Sequence, residues 1–262
     1  MNYRDKTYNT MIVRVDEGVA TIVLNRPEAL NASNEEMSIE RTEILEGITA
    51  DPEVRVLIIT GGDKVFSAGG DIVALSQFNS DDAKQFSDRV VHNQRLLADM
   101  PKPTIAAVAG LAYGGGLEQV LLCDLRIAEE KARFALPEIN VGIFPGGGGT
   151  QRLPRNISLC RAKEMIFFGD PINAQTALEW GILNRVVAKA ELMQVAMEMA
   201  NKLILKPPMA LKMAKMCLNA ASGCDMQTGL NLESSSWSML FGTEEQQEGM
   251  QAFLNKRSPK YR

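Results

Sequence analysis

Hydrophobic and polar positions alternate along MIVRVDEGVATIVLN (11–25), the period of two expected of strands, with Gly18 as the hairpin turn. Arg26-Pro27 stops the second strand. Ser33-Asn34-Glu35-Glu36 reads as a capping box, and an irregular helix should follow to about Thr49. Its apolar stripe (Met37, Ile39, Ile44, Leu45, Ile48) is weak, and Asp51-Pro52 breaks it. Val54–Thr60 is a near-unbroken apolar run, as in a strand buried on both faces, and Gly61-Gly62-Asp63 ends it. A turn at 67–71, a helix from about Ser80 to Met100, a strand at 104–108, a helix at 115–123 and strands near 125–128 and 132–135 follow. Such alternation predicts an α/β fold, with parallel strands and helices packed outside them. After Arg155 strand patterns nearly vanish. Helices are expected at 158–168, 174–180 (closed by Gly181), 189–205, 208–221, 226–240 and 244–256.

Composition changes this picture little. The chain has 262 residues, 45% hydrophobic and 23% charged, as a soluble globular protein would. A net charge of −4 argues against a general nucleic-acid binder. No apolar run is long enough to span a bilayer, and the first residues resemble neither a signal nor a transit peptide. The four cysteines (Cys123, Cys160, Cys217, Cys224) form no CxxC pair and read as reduced, buried thiols, so a cytoplasmic location is expected. The single histidine, His92, lies in a helical stretch without a nearby nucleophile and reads as structural. A histidine-rich metal site is excluded.

The candidate chemistry sits at two glycine-rich turns. Thr104–Val108 leads into Gly114-Gly115-Gly116 at the start of a helix, where backbone N–H groups lack intrahelical partners and carry the positive end of the dipole. A ligand oxygen can approach such a backbone closely. Glu118 lies one turn inside, as a carboxylate beside those donors or as a simple dipole partner. The second turn, Phe66-Ser67-Ala68-Gly69-Gly70-Asp71, follows the 54–60 strand. Turns after parallel strands share one sheet edge, so the two can offer two N–H donors to one oxygen, the geometry of an oxyanion hole. Asp71 reads as a helix cap. Glu138 follows in Phe134-Ala135-Leu136-Pro137-Glu138. By itself it reads as an exposed loop acid; paired with Glu118 it suits acid–base work. The Gly146–Gly149 run lacks the Lys-Ser/Thr of a phosphate loop, and no GxGxxG occurs.

These pieces resemble the crotonase superfamily, the enoyl-coenzyme A (CoA) hydratases and isomerases. The matching segments are LNRPEALNA (24–32), VFSAGGDI (65–72), PKPTIAAVAGLAYGGGLE (101–118), CDLRIA (123–128), FALPEINVGIFPGGGGTQRLPR (134–155) and EGMQAFLNKR (248–257), in family order over nearly the whole chain. The resemblance implies the ClpP/crotonase-like fold of stacked ββα turns: a core over 1–190 and a helical, trimer-forming segment over 191–262. Trimers or dimers of trimers are implied. So are roles: Gly70 and Gly115 as oxyanion-hole amides, Glu118 and Glu138 as the glutamates that hold the reacting water. Ala29, Leu30, Ala68, Asp71 and Ile72 fall at the CoA and substrate groove. Phe253 and Lys256 match a C-terminal segment that can reach CoA, sometimes on a neighbouring subunit. The implied activity is reversible syn hydration of a 2-enoyl-CoA thioester, with no metal or redox cofactor, CoA being part of the substrate.

The chain departs from the pattern at Leu117, often small or cysteine, at Gly147, where alanine is common and glycine should loosen the loop, and at Ser33 and the polar helix after it. These changes bear on acyl-chain preference. Tyr113 and Phe144 are candidates for the acyl pocket, with plain packing the favoured role for each. A Δ3,Δ2-enoyl-CoA isomerase is the nearest rival, and Glu118 counts against it. A decarboxylase, dehalogenase or ring-forming relative is disfavoured by FALPEIN. A non-catalytic RNA-binding scaffold is a reading from another class, opposed by the acidic balance and the intact glutamate pair.

Overall fold

The computed structural model describes residues 3–261. β1 (Met11–Asp16) and β2 (Val19–Leu24) form an antiparallel hairpin. Its turn residues Glu17 and Gly18 both take positive φ, as a tight hairpin requires. β3 (Val56–Thr60), β4 (Thr104–Val108), β6 (Leu125–Glu129) and β9 (Arg185–Val187) continue the sheet in parallel, in the order β1-β2-β3-β4-β6-β9. A smaller sheet, β5-β7-β8, joins β5 (Leu111–Tyr113), β7 (Arg133–Ala135) and β8 (Ile172–Asn173). The sequence pattern does not reveal β5, β8 or β9, which are too short to establish a period.

Alternate residues of the central strands enter two different cores, as the pleat dictates. Leu57, Ile59, Ala106, Val108 and Ala128 face one core, which also holds Met37, Ile44, Leu45 and Ile48 of α1 (Glu35–Ala50), Leu97 of α3 (Ser80–Ala98) and Leu117 and Val120 of α4 (Gly115–Leu122). α2 (Ile72–Leu75) lies between α1 and α3 in the chain. Val56, Ile58, Ile105, Ala107 and Ile127 face the other core, closed by Leu192, Ala196, Met199 and Ala200 of α8 (Leu192–Ile204). These four recur at helical spacing and make one apolar stripe. In chain order α5 (Gly149–Asn156), α6 (Leu159–Phe168) and α7 (Ala174–Glu179) fall between β7 and α8. The chain ends in α9 (Pro208–Ala220), α10 (Met226–Ser238) and α11 (Glu244–Leu254), which carry few buried residues.

Two expectations are corrected. The cap of α1 is Asn34, whose side chain accepts from the Met37 N–H; among the described residues no capping box forms there. Ser33 is instead drawn into a backbone bridge: its N–H donates to Gly69 at 2.7 Å and its carbonyl accepts from the Asp71 N–H at 3.1 Å. The cysteines are not uniformly buried: Cys123 is, Cys217 and Cys224 are half-buried, and Cys160 is exposed. α5 forms despite its glycines and Pro154, because its N-terminal amides find an acceptor described below.

Asn31 holds the segment before α1 to the β3 exit. It is buried, with φ of 56°, and its Nδ2 reaches the carbonyls of Gly61, Val65 and Phe66 at 3.2, 3.0 and 3.1 Å. Its Oδ1 accepts from the Arg26 N–H at 2.9 Å. Alanine would orphan these groups and adopt a left-handed conformation with no side-chain compensation. Asn31→Ala should lose about 2–4 kcal/mol, read as a lower denaturant midpoint with an unchanged slope. A loss within about 0.5 kcal/mol would show that the tie is dispensable.

Candidate active site

The two glycine turns meet backbone to backbone. Ser67 bridges Ala112 in parallel register, its N–H donating to Leu111 and its carbonyl accepting from Tyr113. Gly69 (φ 103°) packs so tightly that a Cβ there would sit 2.9 Å from the Tyr113 carbonyl oxygen and 3.1 Å from the Gly115 nitrogen. Only glycine tolerates both that φ and that approach. In the bridge to Ser33, the flanking Gly69 carbonyl and Asp71 N–H make the bonds, so the Gly70 N–H points the other way. Gly115 is the first residue of α4 and its N–H precedes the intrahelical ladder. Among the described residues neither amide donates to a protein acceptor.

Both amides border a cavity of about 420 Å³ that also receives Glu118 and Glu138. Glu118 is buried on the first turn of α4, and its Oε1 accepts from the N–H groups of Gly147 at 2.8 Å and Gly149 at 2.7 Å. Its carboxylate thus serves the N-terminus of α5, whose own cap, Gly148, has no side chain. Burial raises its pKa, while the Gly149 and Gly147 amides and the Arg152 charge oppose the rise. Gln94 of α3 completes the arrangement: its amide donates to the Gly147 carbonyl and its Oε1 accepts from Arg152 at 3.2 Å. The loop at Gly147 is therefore held from both sides rather than loosened. A side chain there would strike the Glu118 carboxylate.

Glu138 lies in a 3₁₀ turn, Pro137–Val141, after β7. It is half-buried, not the exposed loop acid its local sequence suggests, and its Oε2 is sealed with no protein partner. Burial drives its carboxyl up to about 7; its own backbone N–H opposes this and the nearby Glu118 charge adds to it. Gly114 (φ 50°) makes room, since a Cβ there would lie 2.9 Å from Glu138 Oε1. One carboxyl is thus held by two amides near the Arg152 charge, while the other has one oxygen left without a donor. Such unequal environments separate the roles of paired acids.

Ala68 and Ile72 border the same cavity; Ala29, Leu30, Asp71, Phe253 and Lys256 do not. Ala29 and Leu30 approach through the backbone, the Leu30 carbonyl accepting from the Ala68 N–H at 2.9 Å. Asp71 is engaged elsewhere: it caps α2 through Val73 and Ala74 and pairs with Arg26 at 3.2 Å. Phe253 and Lys256 are exposed at the end of α11. Phe144 borders the cavity and Tyr113 does not. His92 is exposed on the outer face of α3. Gln94, Arg41 and Arg152 carry no motif that singles them out in the sequence. Among the described residues no cluster of three His, Cys, Asp or Glu side chains is placed to hold a metal.

Two unengaged amides and two carboxyls border one cavity; fixed amides of this kind can stabilise a developing oxyanion, and paired carboxyls can move protons. The family described as Enoyl-CoA hydratase/isomerase matches residues 14–262. The short-chain-enoyl-CoA hydratase of Clostridium acetobutylicum is 42% identical over 95% of this chain and 96% of its own. The crotonyl-CoA hydratase of Syntrophomonas wolfei is 38% identical over 97% and 98%. The crystal structure of an enoyl-CoA hydratase from Bacillus anthracis superposes with a TM-score of 0.93 at 37% identity, covering 97% of this chain and 99% of that one. This chain belongs to the enoyl-CoA hydratase/isomerase family and has its crotonase fold.

The raised carboxyl has a stability signature. The folded state favours neutral Glu138, so its contribution is complete below about 4.5 and is lost as pH rises through about 7. Glu138→Gln, which cannot ionise, should melt higher than the parent above pH 7 and gain nothing at pH 4. An equal difference at both pH values in thermal melts would contradict the shifted carboxyl.

Proposed function

We propose that this chain, an enoyl-CoA hydratase, adds water across the 2,3 double bond of a 2-enoyl-CoA thioester by dividing the work among Gly70, Gly115, Glu118 and Glu138. The meeting of two unengaged amides and two unequal carboxyls in one cavity carries this reading. The thioester oxygen lies against the Gly70 and Gly115 N–H groups. As the water oxygen bonds to Cβ, the π electrons shift toward the thioester and its oxygen gains charge. Fixed donors hold that charge without reorganisation, and losing one typically costs about 10²–10³ in rate. Glu118 takes the water proton; Glu138, favoured in its neutral form, delivers a proton to Cα on the same face. Transfer of the gained proton between the two carboxyls restores the starting state. No metal or redox cofactor takes part in this scheme.

The CoA portion follows Ala29, Leu30, Ala68 and Ile72. Phe253 and Lys256 serve CoA bound to a neighbouring subunit, in keeping with their place outside this chain's own cavity. The apolar exposure of Trp237 (63%), Met239 (65%), Phe253 (83%) and Leu254 (71%) supports a trimer or a dimer of trimers. Among the described residues no helix is long and apolar enough to cross a membrane. The reading places the enzyme in the cytoplasm, with an acyl-CoA and not a nucleic acid as its partner.

The purified chain should consume crotonyl-CoA at the enoyl-thioester absorbance band without added metal or nucleotide. Inactivity of folded protein toward linear, branched and cyclic 2-enoyl-CoAs would refute the reading. Glu118→Gln and Glu138→Gln should each lower turnover by roughly 10²–10⁴. The double variant should fall well short of the product of the two losses, since both serve one transition state. Full activity in Glu118→Gln would remove that carboxylate from the mechanism.

Light scattering at micromolar concentration should return three or six chain masses. A monomer would defeat the proposed assembly.

A further inference from the structure

α1 presents its buried stripe at Met37, Ile44, Leu45 and Ile48, each fully buried. Arg41 interrupts that stripe, four residues after Met37 and three before Ile44. Its helical neighbours at these spacings offer no carboxylate, and four of the five carboxylates of α1 are engaged elsewhere. Glu35 pairs with Arg89 at 3.1 Å, Glu36 accepts from Asn9 at 2.7 Å, Glu40 accepts from the Thr10 N–H at 3.0 Å, and Glu43 pairs with Lys6. Arg41 Nε is buried without an acceptor, and among the described residues the guanidinium has no hydrogen bond or ion pair. Burial alone lowers its pKa, to about 10, so it stays cationic at neutral pH; no carboxylate is near enough to oppose the drop.

This cation borders the cavity that holds the two glutamates. The polar seam beside it is already satisfied: Asn93 of α3 donates to the Ser38 carbonyl and hydroxyl and accepts from Thr42. The cavity wall also carries the apolar side chains of Phe78, Phe86, Val90 and Leu97. Ser33 and Ser87 also border the cavity, and among the described residues neither hydroxyl is bonded to protein. Arg41 is half-buried, but its Nε–H is sealed and unpaired, which is costly, and a planar guanidinium is suited to a carboxylate held by two parallel hydrogen bonds.

We propose that Arg41 closes the acyl end of this cavity and selects 2-enoyl-CoA thioesters whose acyl chain ends in a carboxylate. The proposal rests on the hydratase reading above. The chain's second carboxylate meets the only cation that the acyl end offers among the described residues, while the apolar wall takes the methylenes and the oxyanion donors take the thioester. A methyl-terminated chain leaves the sealed Arg41 Nε–H unmatched. Sites built for a polar substrate group discriminate strongly against analogues that lack it.

The test compares 2-enoyl-CoAs of five, six and eight acyl carbons, ending either in carboxylate or in methyl, as ratios of kcat/KM. The ratio is independent of the fraction of protein that is active. The parent should favour the carboxylate at one length or more by at least about 10-fold, and Arg41→Met should lower that ratio by about 100-fold or more. Arg41→Lys should fall between, keeping charge without the planar fork. A parent that prefers methyl-terminated chains at every length, or a ratio unchanged in Arg41→Met, overturns the proposal. If methyl-terminated chains react and carboxylate-terminated ones do not, this proposal fails alone; if neither reacts, the hydratase reading fails with it.

Discussion

Close backbone contact between the Ser67–Gly70 turn and the Tyr113–Gly116 turn is the constraint on which the rest depends. Two strands of the sheet, β3 and β4, deliver these turns to the same edge. Side chains at Gly69 or Gly116 would force them apart, a Cβ at Gly116 meeting the Ser67 carbonyl oxygen at 2.5 Å. With the turns in contact, the Gly70 and Gly115 amides converge, Ser33 is drawn to Gly69 and Asp71, and Glu118 is set one turn behind the donors. The adjoining β5–β7 pair then sets the Glu138 turn against Gly114, whose N–H donates to the Ala135 carbonyl at 2.9 Å.

The two glutamates differ because their surroundings do, not because of their chemistry. Glu118 is fixed by the Gly147 and Gly149 amides and by the Gln94–Arg152 pair behind them. Glu138 has one oxygen sealed and unpartnered. Burial raises the pKa of both, but amides and the Arg152 charge oppose the rise at Glu118, whereas at Glu138 the neighbouring Glu118 charge adds to it. The arrangement uses rigid elements: α4 for the first glutamate, the proline-started 3₁₀ turn for the second and α3 for Gln94. Rigid support matters because donors of this kind contribute through their fixed position.

The cavity joins surfaces of opposite character. The sheet edge supplies amides and carboxyls, while α2, α3 and Phe78 between them supply aliphatic and aromatic walls. Arg41 stands out because it breaks the apolar stripe of a helix that otherwise packs as core. The exposed apolar faces of α10 and α11 contribute no residue to this cavity.

The sequence by itself determined the features that rest on local or short-range patterns. The β–α alternation, the hairpin at Gly18, the two glycine turns and the apolar strands at 56–60 and 104–108 are legible because periodicity and backbone freedom are local properties. Gly70, Gly115, Glu118 and Glu138 were legible as a set through the family motifs, though no single one would have been. Tertiary structure decided the rest. Asn34 displaced Ser33 as the cap because a distant strand-like segment claimed Ser33. α5 formed against its own glycines and proline because Glu118, far back in the chain, accepts from its amides. Glu138 became a buried carboxyl of raised pKa because Gly114 and the cavity wall close over it, and Gln94 and Arg41 gained their places from packing between helices. In each case the deciding partner lies many residues away, so hydrogen bonding and burial that no local pattern encodes settle the outcome.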